Sequence, residues 1–251
     1  MFSSVATADR HRPDCSPPAA ESHHTGKRSG GGVTARQTNN RHLKLDYDGI
    51  DVSHHQGTID WQRVAEDSSV QFVYLKATEG STIVDSKYSE NVKGAKKAGI
   101  PIGSYHYMTS KSSITSQFRN YYGVVNRKEQ DIIPMIDIEE EGVSGWSRQE
   151  IQDSLARMIM LMEKHYHRSP IIYAYAKFYN ENLAPRFNSY HLFLAHYNIH
   201  EPVVAGAGQH NLWQHSDQGV VDGIETPVDL DVFAEGTTLE NIKMNQTGAE
   251  R

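Results

Sequence analysis

Ile133-Pro134-Met135-Ile136-Asp137-Ile138-Glu139-Glu140 is the stretch on which the reading of this chain turns. An apolar run ends abruptly in acids, and Asp137 and Glu139 stand two positions apart. In an extended strand such a pair points to one face, so both carboxylates project from the end of an otherwise buried strand. Like charges this close raise the pKa of one member and can keep it protonated near neutral pH. Proteins make an acid and a base from similar groups in this way. A solvated strand end is the plain alternative, and the run alone fits either.

From Tyr47 onward, short apolar runs alternate with longer amphipathic segments. Strands are predicted at 47–52, 72–77, 101–107, 132–138, 170–175, 191–197, 211–216 and 228–233. Helices are predicted near 60–66, 86–98, 113–127 and 147–165. Ser147-Arg148-Gln149-Glu150 is a capping-box signature opening the last of these, and Gly99 is placed to close the second. Strands alternating with helices argue for a parallel sheet with right-handed crossovers. Because regular alternation covers only the first five strands, the expected fold is an α/β, TIM-like barrel with an abbreviated second half. Catalytic groups of such barrels sit at the C-terminal strand ends.

The formal net charge of -6, with no basic stripe interleaved with aromatics, gives no support for nucleic-acid binding. No apolar run is long enough to span a membrane. Cys15 is the only cysteine, so neither a disulfide nor a cysteine metal site is expected. Residues 1–44 are rich in Ser, Pro, Gly, His and Arg, as in Ser29-Gly30-Gly31-Gly32. This composition reads as a disordered or linker-like segment, without the apolar centre of a signal peptide. The catalytic unit is expected at 45–245, with a tail at 246–251. Nothing in the chain signals oligomerisation, and a monomer is expected.

Other polar residues collect at the same strand ends. Asp51 closes the first strand, Glu79 follows the second, and Tyr105 and Tyr107 close the third. Tyr173 and Tyr175 fall at the fifth, His196 and Tyr197 at the sixth, Trp213-Gln214-His215 at the seventh, and Asp229 and Asp231 at the eighth. A single strand-end Asp is commonly a turn residue, and Trp213 alone is commonly core; convergence on one rim is what points to a site. A rim of carboxylates lined with Tyr and Trp suits carbohydrate. Glycosidic cleavage needs a proton donor to the leaving oxygen and anionic support at the oxocarbenium centre.

Seven segments together resemble the glycoside hydrolase family 25 muramidases, the Chalaropsis-type lysozymes. They are Gly49-Ile50-Asp51-Val52-Ser53-His54-His55-Gln56-Gly57, Lys76-Ala77-Thr78-Glu79-Gly80, Gly103-Ser104-Tyr105-His106-Tyr107, Met135-Ile136-Asp137-Ile138-Glu139, Ala195-His196-Tyr197, Leu212-Trp213-Gln214 and Val228-Asp229-Leu230-Asp231. The resemblance implies a (β/α)5(β)3 barrel that hydrolyses the β-1,4 bond between N-acetylmuramic acid and N-acetylglucosamine in peptidoglycan. It implies Glu139 as general acid, with Asp137, Asp51 and Glu79 as acidic partners. Asp137 would orient the substrate's own 2-acetamido group, with net retention. Tyr105, Tyr107, Tyr173, Tyr197, Trp213, Gln214 and Asp229 would contact the glycan. No cofactor or metal is expected, and the substrate implies an extracellular or cell-envelope location. Three departures bear on substrate contacts: Phe193-Leu194 stands where the family often carries Trp, His215 where it often carries Tyr, and Asp231 where it often carries Asn.

Two other classes compete. A metal-dependent polysaccharide deacetylase could use His54, His55, His106, His196 and His215 near the presumed rim. Against it stands the lack of a His-x-x-x-His on any predicted helix. A glycan-binding barrel without activity would lack one of the acids, whereas Asp51, Glu79, Asp137 and Glu139 are all present.

Overall fold

Closure of one sheet on itself organises the computed structural model, which describes residues 47–244. The expected segment 1–44 and tail 246–251 lie outside the described residues. In chain order the strands are β1 (Gly49–Val52), β2 (Phe72–Glu79), β3 (Ile83–Val84), β4 (Ile102–Tyr107), β5 (Met135–Asp137), β6 (Ile171–Tyr175), β7 (Leu192–Ala195), β8 (Leu212–Gly219) and β9 (Val228–Phe233). β1 pairs with β2 on one side and β9 on the other, which closes eight strands into a barrel. Seven of them run parallel, and β9 is antiparallel to both neighbours. β3 is a short antiparallel hairpin arm on β2.

Five helices follow the first five barrel strands: α1 (Trp61–Val64), α2 (Tyr88–Ala98), α3 (Ile114–Val124), α4 (Arg148–Tyr166) and α5 (Ala176–Asn182). This is the (β/α)5(β)3 order, with a last short helix, α6 (Leu239–Ile242), after the barrel. α4 starts where its capping box requires, since Glu150 N–H donates to Ser147 Oγ and Ser147 N–H donates to Glu150 Oε2. Its buried stripe is Ile151, Leu155, Met158, Ile159 and Met162, each side chain worth roughly 1.5–3 kcal/mol when fully buried. Gly99 ends α2 at φ 80°, a left-handed conformation that glycine adopts without a Cβ penalty.

The elements differ from the sequence expectation where local pattern is silent. β5 is three residues, not 132–138. Pro134 has no N–H to give a ladder, and the chain before it pairs elsewhere. Ile132 bridges Lys243, and Ile133 N–H donates to Ile242 C=O. α3 stops at Val124, with a 3-10 turn at Arg127–Glu129 beyond it. β3, α5 and α6 were not predicted; they are two, seven and four residues long, too short for a periodic signal.

Aromatic rings fill the barrel interior beneath its mouth. Phe72 and Tyr74 of β2 lie level with Gly49 of β1 and Gly103 of β4. A Cβ at Gly49 would come within 2.3 Å of the Phe72 ring, and one at Gly103 within 2.5 Å of the Tyr74 ring. Phe233 and Phe193 complete the packing, with ring centroids 5.2 Å from Phe72 and 6.2 Å from Tyr74 respectively. Large rings thus oppose residues with no side chain, which is how a tapering interior is filled without voids. Gly103→Ala is therefore expected to lower unfolding free energy by about 1–3 kcal/mol in urea titrations. Gly123→Ala, on an exposed turn of α3 with nothing near its Cβ position, is expected to raise it by about 0.5–1 kcal/mol.

Candidate active site

The acids reach the mouth by strand alternation, with one exception that needs an extra residue. Phe72 and Tyr74 point inward, and the same period carries Lys76 inward. Between Lys76 and Thr78 the register on β4 slips, so that Lys76 faces Tyr105, Thr78 faces His106 and Glu79 faces Tyr107. The bulge at Ala77 resets the phase. Lys76 and Glu79, three apart, consequently share the interior face, with Nζ 2.9 Å from Oε2. The Lys76 ammonium also lies 5.0 Å from the centroid of the Tyr107 ring.

On the opposite edge of β1, Asp51 stands level with Asp229 of β9. Asp51 is buried and is held by Gln214, whose Nε2 donates to Oδ2 at 2.6 Å. Gln214 is itself fixed by two tyrosines: its Oε1 accepts the Tyr173 hydroxyl at 2.8 Å and the Tyr197 hydroxyl at 2.7 Å. Burial raises the Asp51 pKa well above the carboxylate range, and Asp229 and then Glu139 push it further, while the Gln214 hydrogen bond pulls it down.

Asp137 ends β5, level with Tyr107 on one side and Tyr173 on the other. It too is buried, and its Oδ1 has no hydrogen-bond partner. Burial lifts its pKa most; Glu139 adds to this, Lys76 opposes it, and Asp51 and Glu79 add smaller pushes. Burial and the same carboxylates raise the hydroxyls of Tyr105, Tyr107 and Tyr173, so these stay neutral. Tyr175 and Tyr197 meet edge to face at 5.9 Å on the exposed rim. The sequence put Tyr175 at this strand end without assigning it a contact.

Asp51, Glu79, Tyr105, Tyr107, Asp137, Glu139, Tyr173, Tyr197, Gln214 and Asp229 thus belong to one end of the barrel. Gln214 is 2% exposed, and its bonds go to protein groups. Trp213 is placed differently. It lies opposite Leu194 in the β7–β8 register, on the other face from Gln214, and its indole N–H donates to the His196 carbonyl at 2.7 Å. Adjacent strand residues always face opposite ways, so this much was readable. One buried acid at the eighth strand end has no catalytic role assigned to it. Asp231 is 0% exposed, level with Gly49 and Gln214, and neither carboxyl oxygen has a hydrogen-bond partner. Its spacing from Asp229 was the available signal.

Among the described residues the histidines do not assemble a ligand set. His106 faces out of the barrel, fully buried, with Nδ1 2.7 Å from Thr78 Oγ1 and Nε2 3.2 Å from Gln117 Oε1. Burial lowers its pKa to about 4. His54 Nδ1 lies 2.7 Å from Asp85 Oδ2, on the loop after β1. Among the described residues no group of three or more His, Cys, Asp or Glu could hold a metal ion.

An eight-stranded α/β barrel with carboxylates and tyrosines gathered at one end is the setting of a glycoside hydrolase. The sequence profile of the glycosyl hydrolases family 25 matches residues 50–224, and the chain belongs to that family. YegX of Escherichia coli, itself uncharacterized, is 40% identical over 196 residues, which span 76% of this chain and 71% of that protein. The autolytic lysozyme of Clostridium acetobutylicum is 34% identical over 189 residues, covering 75% of this chain and 56% of the relative. Among solved structures, a family 25 glycosyl hydrolase from Bacillus anthracis superposes with a TM-score of 0.70 at 28% identity, covering 82% of this chain and 98% of that one. The lysozyme of Streptomyces coelicolor gives 0.69 at 29% identity, with 76% and 92% covered.

Asp231 is expected to make the stability of the barrel pH-dependent. Burial, then Asp51 and Asp229, raise its folded pKa well above the ordinary value. A raised acid stabilises the fold below its unfolded pKa, about 3.9, and that contribution is lost as pH rises through the folded value. Asp231→Asn cannot ionise. Thermal unfolding should therefore show little change at pH 4 and a higher Tm than wild type at pH 8.

Proposed function

We propose that this chain is a lysozyme-type muramidase that hydrolyses the β-1,4 bond between N-acetylmuramic acid and N-acetylglucosamine in bacterial peptidoglycan. The observation that carries this reading is the pairing of buried Asp137 with Glu139 at the end of β5, ringed by Asp51, Glu79 and neutral tyrosines. The names of the relatives, lysozyme and muramidase, support the substrate. The catalytic unit is taken as residues 45–245, acting as a monomer.

In the productive state Glu139 carries the proton and Asp137 is ionised. Glu139 gives its proton to the glycosidic oxygen as the bond to the anomeric carbon breaks, and positive charge grows on that carbon and the ring oxygen. The carbonyl oxygen of the substrate's 2-acetamido group attacks the anomeric carbon from the opposite face. Asp137 accepts a hydrogen bond from the acetamido N–H and so orients this internal nucleophile. Glu139, now a carboxylate, takes a proton from water as that water opens the cyclic intermediate. Two inversions give net retention. Asp51, clamped by Gln214, and Glu79 contribute negative potential at the developing cation.

Glu139→Gln should lower the rate of lysis of purified peptidoglycan by about 10²–10⁴-fold, the usual contribution of a general acid, with unchanged circular dichroism. Intact hydrolysis by this variant would remove Glu139 from the mechanism. The wild-type pH–rate profile should be bell-shaped, its alkaline limb marking loss of the catalytic proton; a rate still climbing in the alkaline range would contradict the assignment.

A further inference from the structure

We propose that Lys76 is a positioning residue that decides which of the two β5 carboxyls carries the catalytic proton. The inference rests on the assignment of Asp137 and Glu139 given above. Two carboxyls that share one proton can place it on either member, and only one placement is productive. Burial and the charge of Glu139 both favour leaving the proton on Asp137, which would disable the proton donor. Something must oppose them.

Several elements present groups to Asp137. Glu139 follows it in the chain, β2 supplies Lys76 and Glu79, β1 supplies Asp51, β4 supplies Tyr105 and Tyr107, and β6 supplies Tyr173. Of the ionisable members Glu139, Glu79 and Asp51 are acids, and Lys76 is the cation. Its placement is built rather than incidental. The Ala77 bulge turns Glu79 to the same face as Lys76, and the carboxylate holds the ammonium at 2.9 Å. The Tyr107 ring receives it at 5.0 Å, and Tyr107 stands level with Asp137 on the neighbouring strand. The Lys76 side chain is 15% exposed, so its field is poorly screened by solvent. A flexible four-carbon stem is thereby fixed with its charge on the Asp137 side of the mouth. Glu79 is then the anchor of this cation as well as an acid of the groove.

Steady-state kinetics of Lys76→Met and Lys76→Arg on a soluble peptidoglycan fragment, across pH, test this. Without the ammonium Asp137 keeps its proton to higher pH, so the acidic limb of kcat should move up by about one unit, a tenfold change at the old limb position. KM should change little, and Lys76→Arg should restore the limb. A loss of kcat with the acidic limb unmoved, or a limb that Lys76→Arg fails to restore, would overturn the proposal. Lys76→Gln provides a second neutral variant should the methionine form fail to fold. Glu139→Gln separates the two levels: if it is inactive while the Lys76 limb stays put, only the positioning role falls. If Glu139→Gln remains active, the underlying assignment falls with it.

Discussion

Crowding of like charges among buried carboxyls at one end of the barrel is the constraint on which the rest of this structure depends. At an effective dielectric of 20, two carboxylates about 4 Å apart repel by about 4 kcal/mol, equivalent to about three pH units. Each ionised carboxyl at this barrel end therefore makes its neighbours harder to ionise. Burial alone lifts Asp51, Asp137 and Asp231, and each further charge lifts its neighbours. A stronger hold on protons is the physical consequence.

The scaffold distributes those protons through fixed neighbours. Gln214, tied down by two tyrosine hydroxyls, gives Asp51 a donor and favours its charge. Lys76 favours the charge of Asp137 through its field, without a hydrogen bond. Beneath them lies a floor of aromatic rings packed against glycines, which leaves the strand ends little freedom to relax. Groups held this way need not reorganise as charge develops on a substrate, and that is the main source of electrostatic catalysis. Asp231 runs against the trend, since it is buried beside other acids with neither oxygen bonded.

Much of this was legible in the chain. Alternating runs fixed the strand order, and the i, i+2 rule placed Asp137 with Glu139 and Tyr105 with Tyr107. The same rule separates Trp213 from Gln214, because neighbours in a strand face opposite ways. What escaped was non-local. The Ala77 bulge exists because β2 pairs with β4 in two registers, and nothing in Lys-Ala-Thr-Glu announces it. The shortening of β5 depends on a partner more than a hundred residues away, at Ile242 and Lys243. α5 is too short to show a helical period. His106 sits in a rim segment of the sequence, but it faces outward and bonds Thr78 and Gln117, partners that local pattern does not reveal.

The central claim is that these acids cleave one particular bond of the bacterial wall. Mass spectrometry of the products released from purified peptidoglycan, after borohydride reduction, tests it most directly. The account predicts fragments whose reduced end is N-acetylmuramic acid, with the peptide stems intact. Fragments reduced at N-acetylglucosamine, or glycans that have lost acetyl groups without chain cleavage, would contradict it.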